Sequence, residues 1–229
     1  MTRSLIIPIA LMCTLACATQ AKADNVSFSG FANGSQTVDI VLGAPNVATN
    51  LSTQAGGFLT TLNGGASFTS YCIDLYEYIS FGPTYSDYTL TAGASHVFAN
   101  RNAATDIGKL YAEGNAVNSS IRQAAFQIAI WEIAYETGGT YDLGTGSAKF
   151  AGGTAASSGA LTLASSWLGA LATTTNTSYA VSTLDSIGHP GHQDQVFAAP
   201  VPEPSTYVMM ATGLLGMGFV ARRRSSRQN

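Results

Sequence analysis

SIRQAAFQIAIWEIAYE, residues 120–136, runs seventeen residues without a glycine or a proline. Its apolar residues Ile121, Ala124, Ala125, Ile128, Ile130, Trp131, Ile133 and Tyr135 cover nearly every face of a 3.6-residue spiral. That pattern predicts a helix buried on most sides rather than an amphipathic surface helix. Asn118 or Ser119 stands where the N-cap belongs. Glu132 and Glu136, spaced i,i+4, read as the helix's exposed edge. A shorter helix is expected over Asp106–Glu113, stopped by Gly114. A third carries Leu161, Ala164, Leu168 and Leu171 at 3-4-3 spacing, which gives one apolar side.

Outside this helical block the chain reads as strands. Val26–Phe28, Gln36–Leu42, Phe58–Leu62, Ser67–Leu75 and Tyr85–Thr91 alternate or cluster β-branched and aromatic residues between Gly, Asn and Ser. Strand patterns return at Tyr179–Leu184 and Gln195–Ala198. The Gly/Ser/Thr-rich stretches Gly138–Ser158 and Thr173–Ser178 read as surface loops. Strands, helices, then strands predict an α+β class, a β-sheet or small β-barrel body with a helical insert.

Only 10% of the residues are charged while 46% are hydrophobic, which suits an extracellular β-rich domain better than a cytosolic enzyme. The basic residues lie mostly at the ends: Arg3 and Lys22 in the first segment, Arg222, Arg223, Arg224 and Arg227 in the last. The middle keeps Arg101, Lys109, Arg122 and Lys149 against nearly all of the thirteen acidic residues. Such a body repels phosphate backbones and offers no basic stripe, so no nucleic acid is expected as partner.

Residues 1–23 have the anatomy of a secretory signal peptide: Arg3, an apolar core from Leu5 to Ala16, and Ala21-Lys22-Ala23 as a small-x-small cleavage site. The core is too short for a membrane span, and a lipoprotein leader with Cys17 acylated would need its leucine one place away. At the other end, residues 201–229 hold Val201-Pro202-Glu203-Pro204, an apolar run over 207–221, and Arg222-Arg223-Arg224. The run is shorter than the ~20 residues of a relaxed membrane helix, and the arginines after it belong on the cytoplasmic side. This arrangement closely resembles the PEP-CTERM sorting signal. The resemblance implies a hydrophobic sorting helix held transiently in the inner membrane and an exosortase-type enzyme that reads the Pro-Glu-Pro segment. It also implies a bacterium with a Gram-negative envelope, usually one that makes extracellular polysaccharide. Export and a cell-surface or extracellular-matrix location follow.

Of three cysteines, Cys13 and Cys17 leave with the leader, so Cys72 alone remains in an oxidising compartment. A leftover cysteine there signals an intermolecular disulfide, a reactive thiol or an inert buried one. Tyr71-Cys72-Ile73-Asp74, followed by Phe126-Gln127-Ile128-Ala129-Ile130-Trp131, resembles the thioester (TQXA) domain of bacterial surface adhesins. The likeness runs over roughly residues 30–199, and these two motifs carry it. The resemblance implies that Cys72 is joined to a late glutamine, while Gln127, Ala129 and Trp131 form the supporting helix motif. Phe126 departs from the family's threonine. Gln193 has the polar follower the family pattern requires, Gln195 is the alternative, and Gln127 is a third possibility. Two residues apart on a strand, Gln193 and Gln195 face the same way, so geometry does not separate them.

An internal thioester is a protein-held electrophile, open to amines or hydroxyls on a neighbouring surface or exopolysaccharide. Tyr71 and Trp131 would shield it, and the Gln127 side chain is a candidate donor to the oxyanion. Because it reacts once per molecule, the protein is expected not to be an enzyme. Two other classes remain. One is a noncovalent structural or matrix protein with Cys72 merely packed. The other is a thiol enzyme with His96, His189 or His192 as base. His189 and His192 without a third ligand read as a loop rather than a metal pair, and no cofactor is expected. Asp74 and Glu77 read as solvated or locally hydrogen-bonded.

Overall fold

The computed structural model describes residues 23–43, 49–113, 118–138, 140–188 and 191–201, together with Met209, Met210, Thr212, Leu214, Leu215 and Met217. The chain starts with β1 (Asp24–Phe31), β2 (Gln36–Leu42), β3 (Thr49–Ala55), β4 (Phe58–Leu62), β5 (Phe68–Cys72) and β6 (Thr84–Ala92). After a 3-10 turn at Gly93–Ser95 come α1 (Ala103–Ala112) and α2 (Ser120–Tyr135). Next are β7 (Ala148–Ala151), α3 (Gly153–Ser157), α4 (Ala160–Leu171), β8 (Tyr179–Ser186) and β9 (Gln195–Pro200). Six strands close an antiparallel barrel in the order β1-β4-β5-β9-β8-β6, and β3-β2-β7 form a second sheet. The α+β expectation is met, and its barrel form is the one adopted.

Local chemistry explains the elements. In β2 the apolar positions Val38, Ile40 and Leu42 are buried and alternate with exposed ones, the period of a half-buried strand. Asn63 and Gly64 both hold positive φ, 52° and 70°, and Gly65 N–H closes the turn on Leu62 O at 2.9 Å. This is the left-handed pair that a tight β4–β5 hairpin turn needs. Phe28, Phe58 and Tyr88, from three barrel strands, meet with ring centroids 6.0 and 6.1 Å apart.

Helix α2 is buried from Gln123 to Ala134 without a break, as its all-round apolar pattern requires. Ser119 is the N-cap, its hydroxyl accepting from Arg122 N–H. The helix packs on α4, β3 and β5, so it sits between the barrel and the second sheet. In α4 the buried face is Ala160, Ala164, Leu168 and Leu171, close to the expected stripe.

The structure departs from the sequence reading in several places. Gly138–Ser158 is not simply loop: it contains β7 and α3. Four residues are too few to show a period, and β7 exists because Ala148–Ala151 pairs with β2 from Leu42 to Asp39. Strand β3 pairs along the whole of β2, although its polar sequence carries little strand signal. The strand expected over Ser67–Leu75 stops at Cys72.

Glu132 and Glu136 are not an exposed edge; both are buried, at 0% and 7% exposure. The segment leading to β7 folds back over them. Glu132 accepts from Asp142 N–H at 2.7 Å, and Glu136 accepts from Gly138 N–H at 2.6 Å. Gly146, at φ 82°, lies so close that a Cβ there would collide with the Glu136 carboxylate. Burial pushes the Glu132 carboxyl from 4.5 up to about 7. A carboxyl raised in the folded state binds more protons there than in the unfolded chain. Its contribution is therefore fully present below pH 4.5 and is lost as pH rises through about 7. Asp194, also raised, to about 6, acts in the same direction. Thermal melts should show a more stable protein at pH 5 than at pH 8, and Glu132→Gln should shrink that difference.

Candidate functional site

Cys72 ends β5 and is fully enclosed. Its thiol donates to Asp74 O at 2.8 Å, and Trp131 Nε1–H donates to the sulfur at 3.4 Å. Burial raises the thiol well above the ordinary range, while the Trp131 bond works against that rise. Gln127 spends both ends of its carboxamide on the backbone of Cys72. Its Oε1 accepts from Cys72 N–H at 2.9 Å and its Nε2 donates to Cys72 O at 2.8 Å. That two-point clamp fixes the cysteine against α2. Gln127 thus acts here as a positioning residue, with the second N–H of its Nε2 not used by the clamp.

The two late glutamines are not on one strand. Gln195 opens β9 opposite Cys72, whereas Gln193 precedes the strand. Gln193 Nε2 donates to Asp74 O and Glu77 O, both at 3.1 Å. Carbonyls only accept, so the amide nitrogen must face them. The Cys72 thiol and the Gln193 nitrogen thus converge on a single carbonyl oxygen, that of Asp74. The two atoms are no further apart than those two hydrogen bonds laid end to end.

Gln195 has different work. Its Oε1 accepts from Ser70 Oγ at 3.0 Å, itself 2.6 Å from Thr60 Oγ1. Its Nε2 points at Gln193, 3.4 Å from the main-chain oxygen and 3.3 Å from Oε1. Gln195 therefore places an N–H donor on the carbonyl oxygen that Gln193 would use in acyl chemistry. Tyr88 OH donates to Gln193 O at 2.8 Å, which fixes the segment from the barrel side.

Other expected residues act differently from their motif roles. Tyr71 is buried but turns to the opposite face of β5. There its hydroxyl donates to Gln123 Oε1 at 2.9 Å and its ring packs on Phe126 at 4.8 Å. It shields the helix interface rather than the sulfur. Asp74 serves through its backbone carbonyl, while its carboxylate accepts from Tyr76 N–H at 2.8 Å, the local bond expected of it. Ala129 is fully buried between Gln127 and Trp131. Sequence reasoning missed Ser70, Tyr88 and the Glu77 carbonyl, since none carries a motif.

A cleft of about 430 Å³ opens beside the sulfur, with Cys72, Gln193 and Trp131 in its lining. Leu75, Phe31, Phe58 and Phe81 supply its apolar wall, and Glu77, Ser52 and Gln54 its polar side. The site is thus sheltered and approachable at once. His96 Nδ1 sits 2.9 Å from Asp185 Oδ1 and His192 Nδ1 2.7 Å from Asp87 Oδ2, so each is engaged away from the sulfur. His189 lies outside the described residues.

So do residues 1–22, Pro202, Glu203, Pro204, Arg222, Arg223, Arg224 and most of the 207–221 run. Val201, just past the end of β9, donates to Ser178 O at 2.7 Å. Among the described residues no helix is long and apolar enough to cross a membrane.

Comparison with known proteins locates a PEP-CTERM protein-sorting motif at residues 200–224. The chain therefore carries a signal for exosortase-dependent export and sorting to the cell surface. Among solved structures, the N-terminal domain of the Streptococcus pyogenes pilus tip adhesin Cpa is similar. The match covers 80% of this chain and 97% of that one at 14% identity, with a TM-score of 0.46. At that level of superposition it carries no argument about the site. None of the curated proteins compared with the chain matches it.

The clamp gives a direct test of the geometry. Gln127→Leu leaves the buried N–H and C=O of Cys72 without their side-chain partner, at about 1–3 kcal/mol for each orphaned group. Chemical denaturation should show a loss of roughly 2–6 kcal/mol, well above that of Gln54→Leu in the wall of the cleft.

Proposed function

We propose that this exported protein attaches covalently, once per molecule, through an internal thioester between Cys72 and Gln193. The observation that carries the reading is the convergence of the Cys72 thiol and the Gln193 amide nitrogen on Asp74 O. Cys72 Sγ attacks the Gln193 carboxamide carbon and a C–S bond forms. The thiol proton passes to Nε2, the C–N bond breaks, and ammonia leaves. Asp74 O and Glu77 O receive the N–H groups of the departing nitrogen, and Gln195 Nε2–H stabilises the oxygen that gathers charge.

In the second step an amine or hydroxyl on another surface attacks the same carbon. A new C–N or C–O bond forms, the C–S bond breaks, and the proton of the attacker returns to sulfur. Gln193 is then joined to the target by an amide or ester. The buried sulfur tunes this chemistry. A thiol held high in pKa is a poor leaving group, so the stored acyl group resists stray water. Trp131 Nε1–H supplies the hydrogen bond that eases departure when a target is seated. Exosortase handling of the tail belongs to the same surface-sorting path, with a membrane-held precursor before it. Surface amines or exopolysaccharide are the acceptors the cleft would serve.

Labelled methylamine tests this on the mature protein. Incorporation should map to Gln193, vanish in Cys72→Ala and Gln193→Ala, and slow about tenfold in Trp131→Phe, the effect of one lost hydrogen bond to charge. Label at Gln195 would reassign the acyl donor. Absence of label, with a thiol titratable only after denaturation, would make the protein a noncovalent matrix component with Cys72 inert.

A further inference from the structure

Three segments, one of them the stretch that carries Gln193, bring together side chains of the types that bind metals. His96 follows the 3-10 turn after β6, Asp185 lies near the end of β8, and Asp194 stands between the two glutamines just before β9. One ligand atom from each lies within 4.8 Å of the others. His96 Nδ1 and Asp185 Oδ1 are 2.9 Å apart. In the metal-free protein this is a hydrogen bond, and the two atoms need to part only to about 3.4 Å to span a tetrahedral ion with bonds of about 2.0–2.2 Å.

The surroundings hold this triad in place. Asp194 Oδ1 accepts from Ser186 N–H at 2.7 Å, and its backbone oxygen accepts from Ile73 N–H at 3.0 Å. The Asp185 carboxylate is flanked by the hydroxyls of Thr91 and Thr183. The His96 ring rests against Phe98 at 4.4 Å. Two carboxylates face one imidazole, so negative charge is in excess even when the histidine is protonated.

We propose that His96, Asp185 and Asp194 bind a divalent transition-metal ion of the zinc class, through Nδ1 and one oxygen of each carboxylate. One nitrogen and two oxygens match that class. Calcium takes six to eight oxygens, more than this set provides. The ion would pin Asp194, and with it the short segment that carries Gln193 and Gln195 to Cys72. The histidines first considered for a metal were His189 and His192. His192 pairs with Asp87, and among the described residues no further ligand side chain joins that pair.

The test is metal binding by the mature protein carrying Cys72→Ala, which removes the thiol as a ligand and uncouples the outcome from thioester formation. After chelator treatment, Zn²⁺ at a hundredfold excess over Kd should raise the melting temperature by about 5–10 °C, with Ca²⁺ and Mg²⁺ giving no comparable rise. His96→Gln and Asp194→Asn, each checked for folding by circular dichroism, should abolish the Zn²⁺ shift, and His192→Ala should keep it. No shift in the parent, an equal shift in both His96→Gln and Asp194→Asn, or an equal response to Ca²⁺ would overturn the assignment.

Discussion

Two register pairs, Tyr71 with Val196 and Cys72 with Gln195, join β5 to β9 and complete the barrel. Everything at the site depends on that closure. It brings the end of the body beside a cysteine encoded more than a hundred residues earlier, and it does so at the last residue of β5. Because the strand stops there, the chain beyond Cys72 is free to bend back. The Asp74 and Glu77 carbonyls can then turn toward Gln193 instead of toward a strand partner. A longer β5 would have spent Asp74 O on a ladder hydrogen bond.

The second constraint is the buried helix behind the strand. Helix α2 meets the site with Gln127 on the main chain of Cys72 and Trp131 on its sulfur, four residues apart and therefore on one helical face. One residue fixes position and the other adjusts charge. The low-polarity surroundings that raise the thiol disfavour only the thiolate, so the site accommodates the uncharged states of the sulfur, thiol or thioester alike. Burial that would disable an ordinary catalytic cysteine would suit the proposed group, which stores an electrophile and releases it once. The cleft walls, drawn from the barrel, the second sheet and the 75–81 loop, then govern what reaches it.

Much of this was legible in the sequence where a pattern is local. The helix over Ser120–Tyr135 announces itself by its unbroken apolar run and its serine cap. Strand β2 does so by strict alternation, and the Pro-Glu-Pro segment and arginines by their order. What stayed hidden depends on pairing at a distance. Strand β7 is four residues that mean nothing without β2. Glu132 and Glu136 have the spacing of a solvated edge and are buried only because residues 138–151 return across them. Likewise, Gln193 and Gln195 look equivalent on paper. The start of β9 separates them, making one a barrel residue bonded to Ser70 and the other a loop residue that shares the Asp74 carbonyl with the Cys72 thiol. The Asp74 contribution comes from its backbone, which no side-chain motif can report.

The central claim is that the buried thiol of Cys72 is acylated by Gln193, and intact mass of the exported, leader-processed protein addresses it most directly. The account predicts a mass one ammonia below that of the sequence, with no such deficit in Cys72→Ala or Gln193→Ala. A wild-type protein at its full sequence mass, yielding one free thiol on unfolding, would contradict it.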